Sequence, residues 1–365
     1  MAPDQETAIG AIRLPIRRIH VELTNLCNFS CEFCPDGKTV RPRGEMEFSL
    51  LEQILRDAVG LVEQVHFHVM GEPTLYPRLN EAVRLARRLG FAPYLTTNGS
   101  LLSPKKVALL AENGLEHLTV SLQTPDADSF GMRGAQRLSF PEYKARIVDT
   151  FRAVLSNPGT MRLTLVFLAN PLLRFFAPDP PRGNVPTRGK ALRTRMSEWA
   201  EEVVRGTPCE NDLPLILRRI RNAGVLKESL IPLAKGVWFR VRILGNWAGH
   251  FELPVLRARF GYCPGVVENF GVLWNGDYVI CCTDFDGKTV MANHQNTSIR
   301  EYLALPGVQG IVKGFQQYRV FHPHCWICLG ERNLFHSAFR QFGSIVYFKY
   351  YRRWFGHRDE HGVAV

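Results

Sequence analysis

The sequence predicts an α/β fold built on a parallel sheet, and three observations carry that reading. From Arg18 to about Asn170, short β-branched runs alternate with stretches of helical spacing, the pattern of right-handed βαβ units. The chain has 365 residues, room for roughly two domains. Its apolar fraction of 45%, with 22% charged residues, is an ordinary globular balance and excludes wholesale disorder.

The elements follow in order. Arg18–Thr24 alternates apolar and polar residues and reads as a strand. A cysteine loop comes next, then a helix over Ser49–Gly60 with Ser as N-cap and Gly as stop. Val65–Met70 is a strand and Pro77–Gly90 a helix ending in Gly. Tyr94–Thr97 is a strand stopped by Asn98-Gly99, and Ser103–Gly114 a helix opened by Ser-Pro. Leu118–Gln123 is a strand, Pro141–Ser156 a helix and Arg162–Leu168 a strand. In parallel sheets chemistry gathers at the carboxyl ends of strands, so the residues just after each strand matter most.

The proline-rich stretch from Ala177 to Gly189 reads as a surface excursion. Helices are expected over Arg195–Arg205 and around Leu215–Ala223, and Val237–Leu244 reads as a sixth strand. Gly271–Cys282, two short apolar runs around Asn275-Gly276, reads as a hairpin. Ser298–Gln317 reads as helical, broken at Pro306-Gly307. The domains expected are a barrel over 15–250 with an irregular basic insertion at 171–235, a cysteine-rich unit over 260–332, and a basic aromatic helix or tail over 333–365.

No stretch of about 18 uninterrupted apolar residues occurs, which excludes a membrane-spanning helix. The start, MAPDQETAIG, lacks the charged head and apolar core of a signal peptide. A cytoplasmic protein is expected, and its nine cysteines then point to metal binding or catalysis rather than disulfides. The cysteines form a trio (Cys27, Cys31, Cys34), a later set (Cys263, Cys281, Cys282, Cys325, Cys328) and the lone Cys209, which reads as a plain thiol. The 45 Lys and Arg exceed the 34 Asp and Glu by 11. Residues 170–262 carry 16 basic and 8 acidic side chains, and residues from Lys313 onward carry 8 and 3, so the remainder is slightly acidic.

The trio has spacing C-x3-C-x2-C. Three thiolates on one loop can bind three irons of a [4Fe–4S] cluster and leave the fourth open, whereas a zinc site needs a fourth ligand, for which only His66 or His68 lies near. This segment resembles the signature of the radical S-adenosylmethionine (SAM) superfamily, with Phe33 before the last cysteine. The resemblance implies a partial (β/α)6 barrel and a 5′-deoxyadenosyl radical produced from SAM. It also implies a flavodoxin- or ferredoxin-like electron donor.

Further stretches are similar to the same family. Met70-Gly71-Glu72-Pro73 resembles its Gly-Gly-Glu element, which implies that Gly71 and Glu72 receive the methionyl amino group. Thr96-Thr97-Asn98-Gly99 resembles its ribose-side stretch, with Asn98 as the contact. Ser121 and Gln123 stand where the family places contacts to the nucleoside or carboxylate. Arg133 either pairs with that carboxylate or is a solvated loop residue, the plainer reading.

Cys263, the Trp274-Asn275-Gly276-Asp277 turn, Cys281, Asp284 and Cys325-x2-Cys328 resemble the short twitch form of the SPASM extension. That resemblance implies a small β-hairpin and helix unit with one auxiliary [4Fe–4S] cluster on Cys263, Cys281, Cys325 and Cys328. Cys282 competes with Cys281, and strand alternation lets only one of them face the cluster.

The expected activity is abstraction of hydrogen from a small anionic or sugar-like intermediate with net oxidation, the auxiliary cluster accepting an electron. Peptide maturation is the alternative; only about seventeen residues precede the first strand, short for a peptide-recognition domain. An iron–sulfur or zinc scaffold or sensor is the non-catalytic alternative. The basic middle segment suggests an anionic ligand, although Arg218, Arg219 and Arg221 also read as a solvated helix face. The aromatic tail, with Phe335, Phe339 and Phe342 beside Arg340 and Lys349, is expected to close the fold by packing its Phe residues. Contact with a membrane surface or partner is the alternative, and nucleic acid is disfavoured.

Overall fold

The computed structural model describes residues 7–35, 39–169, 189–223, 229–243 and 254–352. The proline-rich stretch at 177–188 and the far tail with Arg353, Trp354 and Phe355 lie outside them.

Strands β1 (Ala8–Ile9) and β2 (Ile12–Arg13) form a small antiparallel pair. The main strands are β3 (Ile16–Val21), β4 (Val62–Phe67), β5 (Ala92–Thr97), β6 (His117–Gln123) and β7 (Arg162–Ala169). They are followed by β8 (Ser229–Ala234), β9 (Val237–Ile243), β10 (Asn269–Val272) and β11 (Tyr278–Val279). Among the described residues, nine of these make one open sheet in the order β11-β10-β3-β4-β5-β6-β7-β9-β8. Strands β3, β4, β5, β6, β7 and β9 are mutually parallel, the six strands of a partial barrel that does not close. Antiparallel β8 covers one edge. On the other edge β10 pairs parallel with β3, and β11 folds back on it. The cysteine-rich hairpin therefore continues the barrel sheet instead of standing apart from it.

Helices α1 (Phe48–Asp57), α2 (Leu79–Arg88), α3 (Pro104–Glu112), α4 (Ala127–Phe130), α5 (Phe140–Ser156), α6 (Lys190–Val204) and α7 (Leu213–Arg221) accompany the strands. Local chemistry sets their starts. Ser103 caps α3 ahead of Pro104, and Ser139 with Glu142 forms a capping box on α5. The Ser49 cap expected on α1 is not made; that helix begins at Phe48 with no side-chain cap.

Period-2 alternation splits the sheet into two faces. Toward the helices point Ile19, Val65, Leu95, Leu118, Leu165 and Phe239, all buried. Phe167 there meets Trp199 of α6 and Phe239 edge-on. Burying each such side chain stabilises the fold by about 1.5–3 kcal/mol. The concave face is polar instead. Arg18, His20, His66, Tyr94, His117, Thr164, Arg240 and Arg242 point inward from alternate positions.

After the hairpin come helices at Ile299–Ala304 and Pro306–Gln316, interrupted at the expected Pro306, then Pro323–Cys328 and Leu334–Ile345. The last runs on as a wide helical turn over Val346–Tyr351. The expected inward packing fails for three of its Phe residues: Phe335, Phe339 and Phe342 are exposed, while Ser337 and Gln341 are buried and Phe348 meets the Tyr262 ring. The inner face is polar because it binds backbone, as described below.

Candidate active site

The three cysteines of the first set sit on the loop after β3, all half-buried. That loop is strapped to the segment after α4: Ser30 N donates to the Arg133 carbonyl and Glu32 N to that of Met132. Gly134, at φ +58°, lies so close that a Cβ there would meet Ser30 O at 2.7 Å. On the other side Glu72 N donates to Leu26 O at 2.7 Å. Gly71, at φ +73°, packs on the same backbone, where a Cβ would stand 2.4 Å from Thr24 O. Only glycine fits there without strain.

The residues after successive strands converge here. The Glu72 carboxylate is buried and already accepts from four donors: Thr74 N, Thr74 Oγ1 and Thr97 Oγ1 on one oxygen, and Asn98 N at 2.6 Å on the other. It thus ties the end of β4 to the end of β5. Asn98 Nδ2 donates to Asn28 Oδ1 at 2.9 Å and stands 4.0 Å from Cys27 Sγ. The Tyr143 hydroxyl donates to the Asn98 carbonyl at 2.7 Å. Phe33 packs with Met132 and Leu168. Ser121 is half-buried on the concave face of β6. Gln123 takes φ +60° at an irregularity in the β6–β7 pairing, which turns its side chain onto Arg133 Nη1.

Arg133 corrects an expectation. It is 1% exposed rather than solvated, lies over the Phe29 ring at 5.0 Å, and donates to Ser121 O and Gln123 Oε1. Burial lowers its pKa, but Cys31, Tyr143, Cys27 and Glu72 together hold it above the usual arginine value. A cation fixed beside Cys27 and Cys31 suits a loop that must hold thiolates.

Residues 21–167 match the profile described as the Radical SAM superfamily. That stretch, from the end of β3 to β7, carries the radical SAM domain. It is similar to the PqqA peptide cyclase of Gluconobacter oxydans, 36% identical over 158 residues, which are 42% of this chain and 42% of that one. It is also similar to the S-adenosyl-L-methionine-dependent 2-deoxy-scyllo-inosamine dehydrogenase of Niallia circulans, 28% identical over 39% of this chain and 58% of that protein. The chain therefore spans less than two thirds of the curated relatives it matches. Among solved structures, Streptococcus suis SuiB bound to its precursor peptide SuiA superposes with TM-score 0.56 at 13% identity, over 88% of this chain and 74% of that one. That likeness is one of fold.

In this radical SAM barrel the concave face is lined by rings. His20, His66, Tyr94 and His117 pair in one row across β3 to β6. His66 stacks on Tyr94 at 4.4 Å, and His117 Nε2 lies 2.9 Å from Thr164 Oγ1. Burial first, then neighbouring cations and imidazoles, hold His20 and His66 well below the usual histidine value. Burial and Arg242 lower His68 to about 4. These imidazoles are uncharged at neutral pH. His20 is tied by a hydrogen bond to the His68 backbone, and its Nδ1, buried, has no hydrogen-bond partner. Sequence reading considered only His66 and His68, as zinc ligands; the alternation of His20, His66 and Tyr94 along successive strands is the signal that places them on the concave face. Arg18 and Arg240, 5% and 9% exposed, share that face. Burial and Arg17 lower Arg18 to about 10, which leaves it charged.

The later cysteines gather beside the hairpin. Cys325 lies in electrostatic reach of Cys281, Cys263 and Cys328, and Cys281 of Cys263 and Cys328. Cys282 also neighbours Cys263, but its other charged neighbours are Arg18 and Arg242 on the concave face. Burial, reinforced by the other thiols, pushes Cys263 up to about 12 and raises Cys281 and Cys325 well above the usual thiol value. Four thiols so placed, Cys325 buried and the other three half-buried, resist ionisation until cations join them, the donor set a cluster requires. Among the described residues no three His, Cys, Asp or Glu converge on a single-ion position. Asp284, fully buried, accepts from Lys288 N, Thr289 N and Thr289 Oγ1 and so shapes the loop after Cys281.

A link between the two cysteine sets escaped the sequence. Glu22 at the end of β3 forms a buried bidentate pair with Arg41 at 2.7 and 2.8 Å, and also accepts from Met70 N and Trp274 N. Arg41 Nε donates to Phe285 O, and Asp286 accepts from Thr39 Oγ1 and Val40 N. The segment after Cys34 is thereby fastened to the loop after Cys281. Cys209 is a half-buried thiol preceding a short 3-10 turn.

Proposed function

We propose that this chain is a radical SAM enzyme that oxidises a small anionic, sugar-like molecule held against the concave face of the barrel. Cys27, Cys31 and Cys34 would ligate three irons of the SAM-binding [4Fe–4S] cluster. Cys263, Cys281, Cys325 and Cys328 would ligate an auxiliary one. When bound, these clusters and SAM supply a hydrogen-abstracting adenosyl radical and a one-electron acceptor. Gly71 brings backbone up to the methionyl end, while Glu72, its oxygens committed to Thr74, Thr97 and Asn98, holds the Asn98 loop in position. Phe33, Asn98, Ser121 and Gln123 border the SAM site, and Arg133 supports Gln123 and faces the thiolates. In domain terms, residues 15–250 would be the barrel, 260–332 the twitch-like extension and 333–365 a basic aromatic C-terminal helix or tail.

The observation that carries the substrate reading is the charge of the concave face. Arg18, Arg240 and Arg242 reach it from the outer parallel strands, and no imidazole beside them is charged at neutral pH. The sequence located the basic character in the segment 170–262, yet Arg218, Arg219 and Arg221 lie exposed on α7. The arginines suited to an anion are Arg240 and Arg242 of the same segment. The similarity to the 2-deoxy-scyllo-inosamine dehydrogenase supports the sugar-like part of this reading. The match to the peptide cyclase covers a similar stretch of chain.

The test is anaerobic: reconstituted, dithionite-reduced protein is given SAM with a panel of phosphorylated and nucleotide-linked sugars. Slow 5′-deoxyadenosine formation is expected alone, rising at least about tenfold with the right anionic sugar. Arg240→Met should abolish the rise and leave the slow reaction unchanged. Stimulation only by uncharged peptides would refute the substrate class. Absence of 5′-deoxyadenosine would refute the activity itself.

A further inference from the structure

The Leu334–Ile345 helix is amphipathic in the reverse sense to a core-closing helix. Its inner side carries Ser337, Gln341 and Ser344. Gln341 Oε1 accepts from Arg259 N and Phe260 N at 3.0 and 3.2 Å, and Ser344 Oγ accepts from Tyr262 N at 3.0 Å. Gln341 Nε2 donates in turn to the carbonyl and hydroxyl of Ser337. These bonds satisfy three partly buried amides of 259–262 that the bridge between Phe260 and Arg319 leaves unpaired, so turning the polar side outward would cost all three hydrogen bonds. The outer side is apolar: Leu334, Phe335, Phe339, Phe342, Val346 and Tyr350 recur at helical spacing along about 24 Å of axis. Leu334 is 80% exposed, and Phe335 and Phe342 about two thirds exposed. Single exposed apolar residues are ordinary; a continuous stripe of them on a fixed helix marks a contact surface.

The charge around the stripe selects the partner. From Arg332 to Arg358 the sequence carries six Lys and Arg and no Asp or Glu. Arg340 and Arg352 are held in place by Glu331 and Glu268, and Lys349 lies 4.0 Å over the Tyr262 ring. Pairing two copies through this face would bring like charges together. An anionic bilayer meets every feature: acyl chains for the Phe side chains, the interface for the tyrosines, and headgroups for the cations. Among the described residues no helix is long and apolar enough to cross a membrane, so the helix would lie on the surface. We propose that the Leu334–Tyr351 segment is an in-plane anchor that docks this protein on an anionic lipid surface.

Flotation of the full, cluster-loaded chain with vesicles tests this. The wild type should float with phosphatidylcholine vesicles containing phosphatidylglycerol, weakly with phosphatidylcholine alone, and less in high salt. The triple variant Phe335→Ser, Phe339→Ser, Phe342→Ser should bind anionic vesicles about a hundredfold more weakly. Its melting temperature and slow 5′-deoxyadenosine formation should be unchanged, because all three side chains are more than half exposed. Equal flotation of variant and wild type, or flotation of neither, would overturn the proposal. So would a wild-type dimer that the triple variant converts to monomer, which would assign the face to a second copy.

Discussion

At the scale of single residues, the site depends on a few side chains and one missing side chain. Gly71 is the clearest case, since both its positive φ and the carbonyl of Thr24 exclude a Cβ. Gly71→Ala should destabilise the fold by at least about 2 kcal/mol and leave the first cysteine set short of iron. Denaturant unfolding and an iron count read both effects; a variant with normal stability and full iron would show that the loop can yield. Glu22 and Arg41 belong to the same scale. Their side chains are 0% and 9% exposed, so removing either partner would leave a buried charge unpaired. Neither residue stands out in the sequence, because the pairing depends on a loop returning to β3. Arg133 was misread for a related reason. The Arg-Gly pair after a short helix has the composition of a surface loop, and only the strap to Ser30 and Glu32 buries it.

At the scale of elements, alternation was the most reliable signal. Each parallel strand was legible because one face must be aliphatic to receive helices, while the other carries polar groups. The same alternation explains acid sensitivity. His20, His66 and His68 titrate below the ordinary histidine value of 6.5, His68 at about 4. Between those limits the unfolded chain binds protons that the folded chain does not, so stability is full above about pH 6.5 and falls as pH drops toward 4. Melting temperatures of the holoprotein from pH 7.5 to 5.5 should decline, and His66→Gln should flatten the slope. An unchanged slope would place these rings in contact with solvent. The terminal helix shows the limit of such patterns. Spacing reveals an apolar stripe but not which side meets the fold, and here the backbone of 259–262 claims the polar side.

At the scale of the molecule, the two ends of the chain meet on one sheet. The hairpin that precedes Cys281 pairs with β3, and the Cys27 loop leaves from the same strand. This proximity was not legible in sequence, where Cys34 and Cys263 are separated by most of the barrel. The cysteine spacings themselves were legible, because ligands to one cluster must share a loop or a hairpin. Charge was legible in sign but not in address: the arginines of the outer helix and those of the chamber lie in one basic segment.

The most direct measurement is iron and sulfide per chain after anaerobic reconstitution. About eight of each are expected for the wild type. About four should remain when Cys27, Cys31 and Cys34 are changed to Ala, and about four when Cys325 and Cys328 are. The first variant should lose all 5′-deoxyadenosine formation. A wild type holding only four irons, or zinc at the later cysteines, would contradict the two-cluster arrangement.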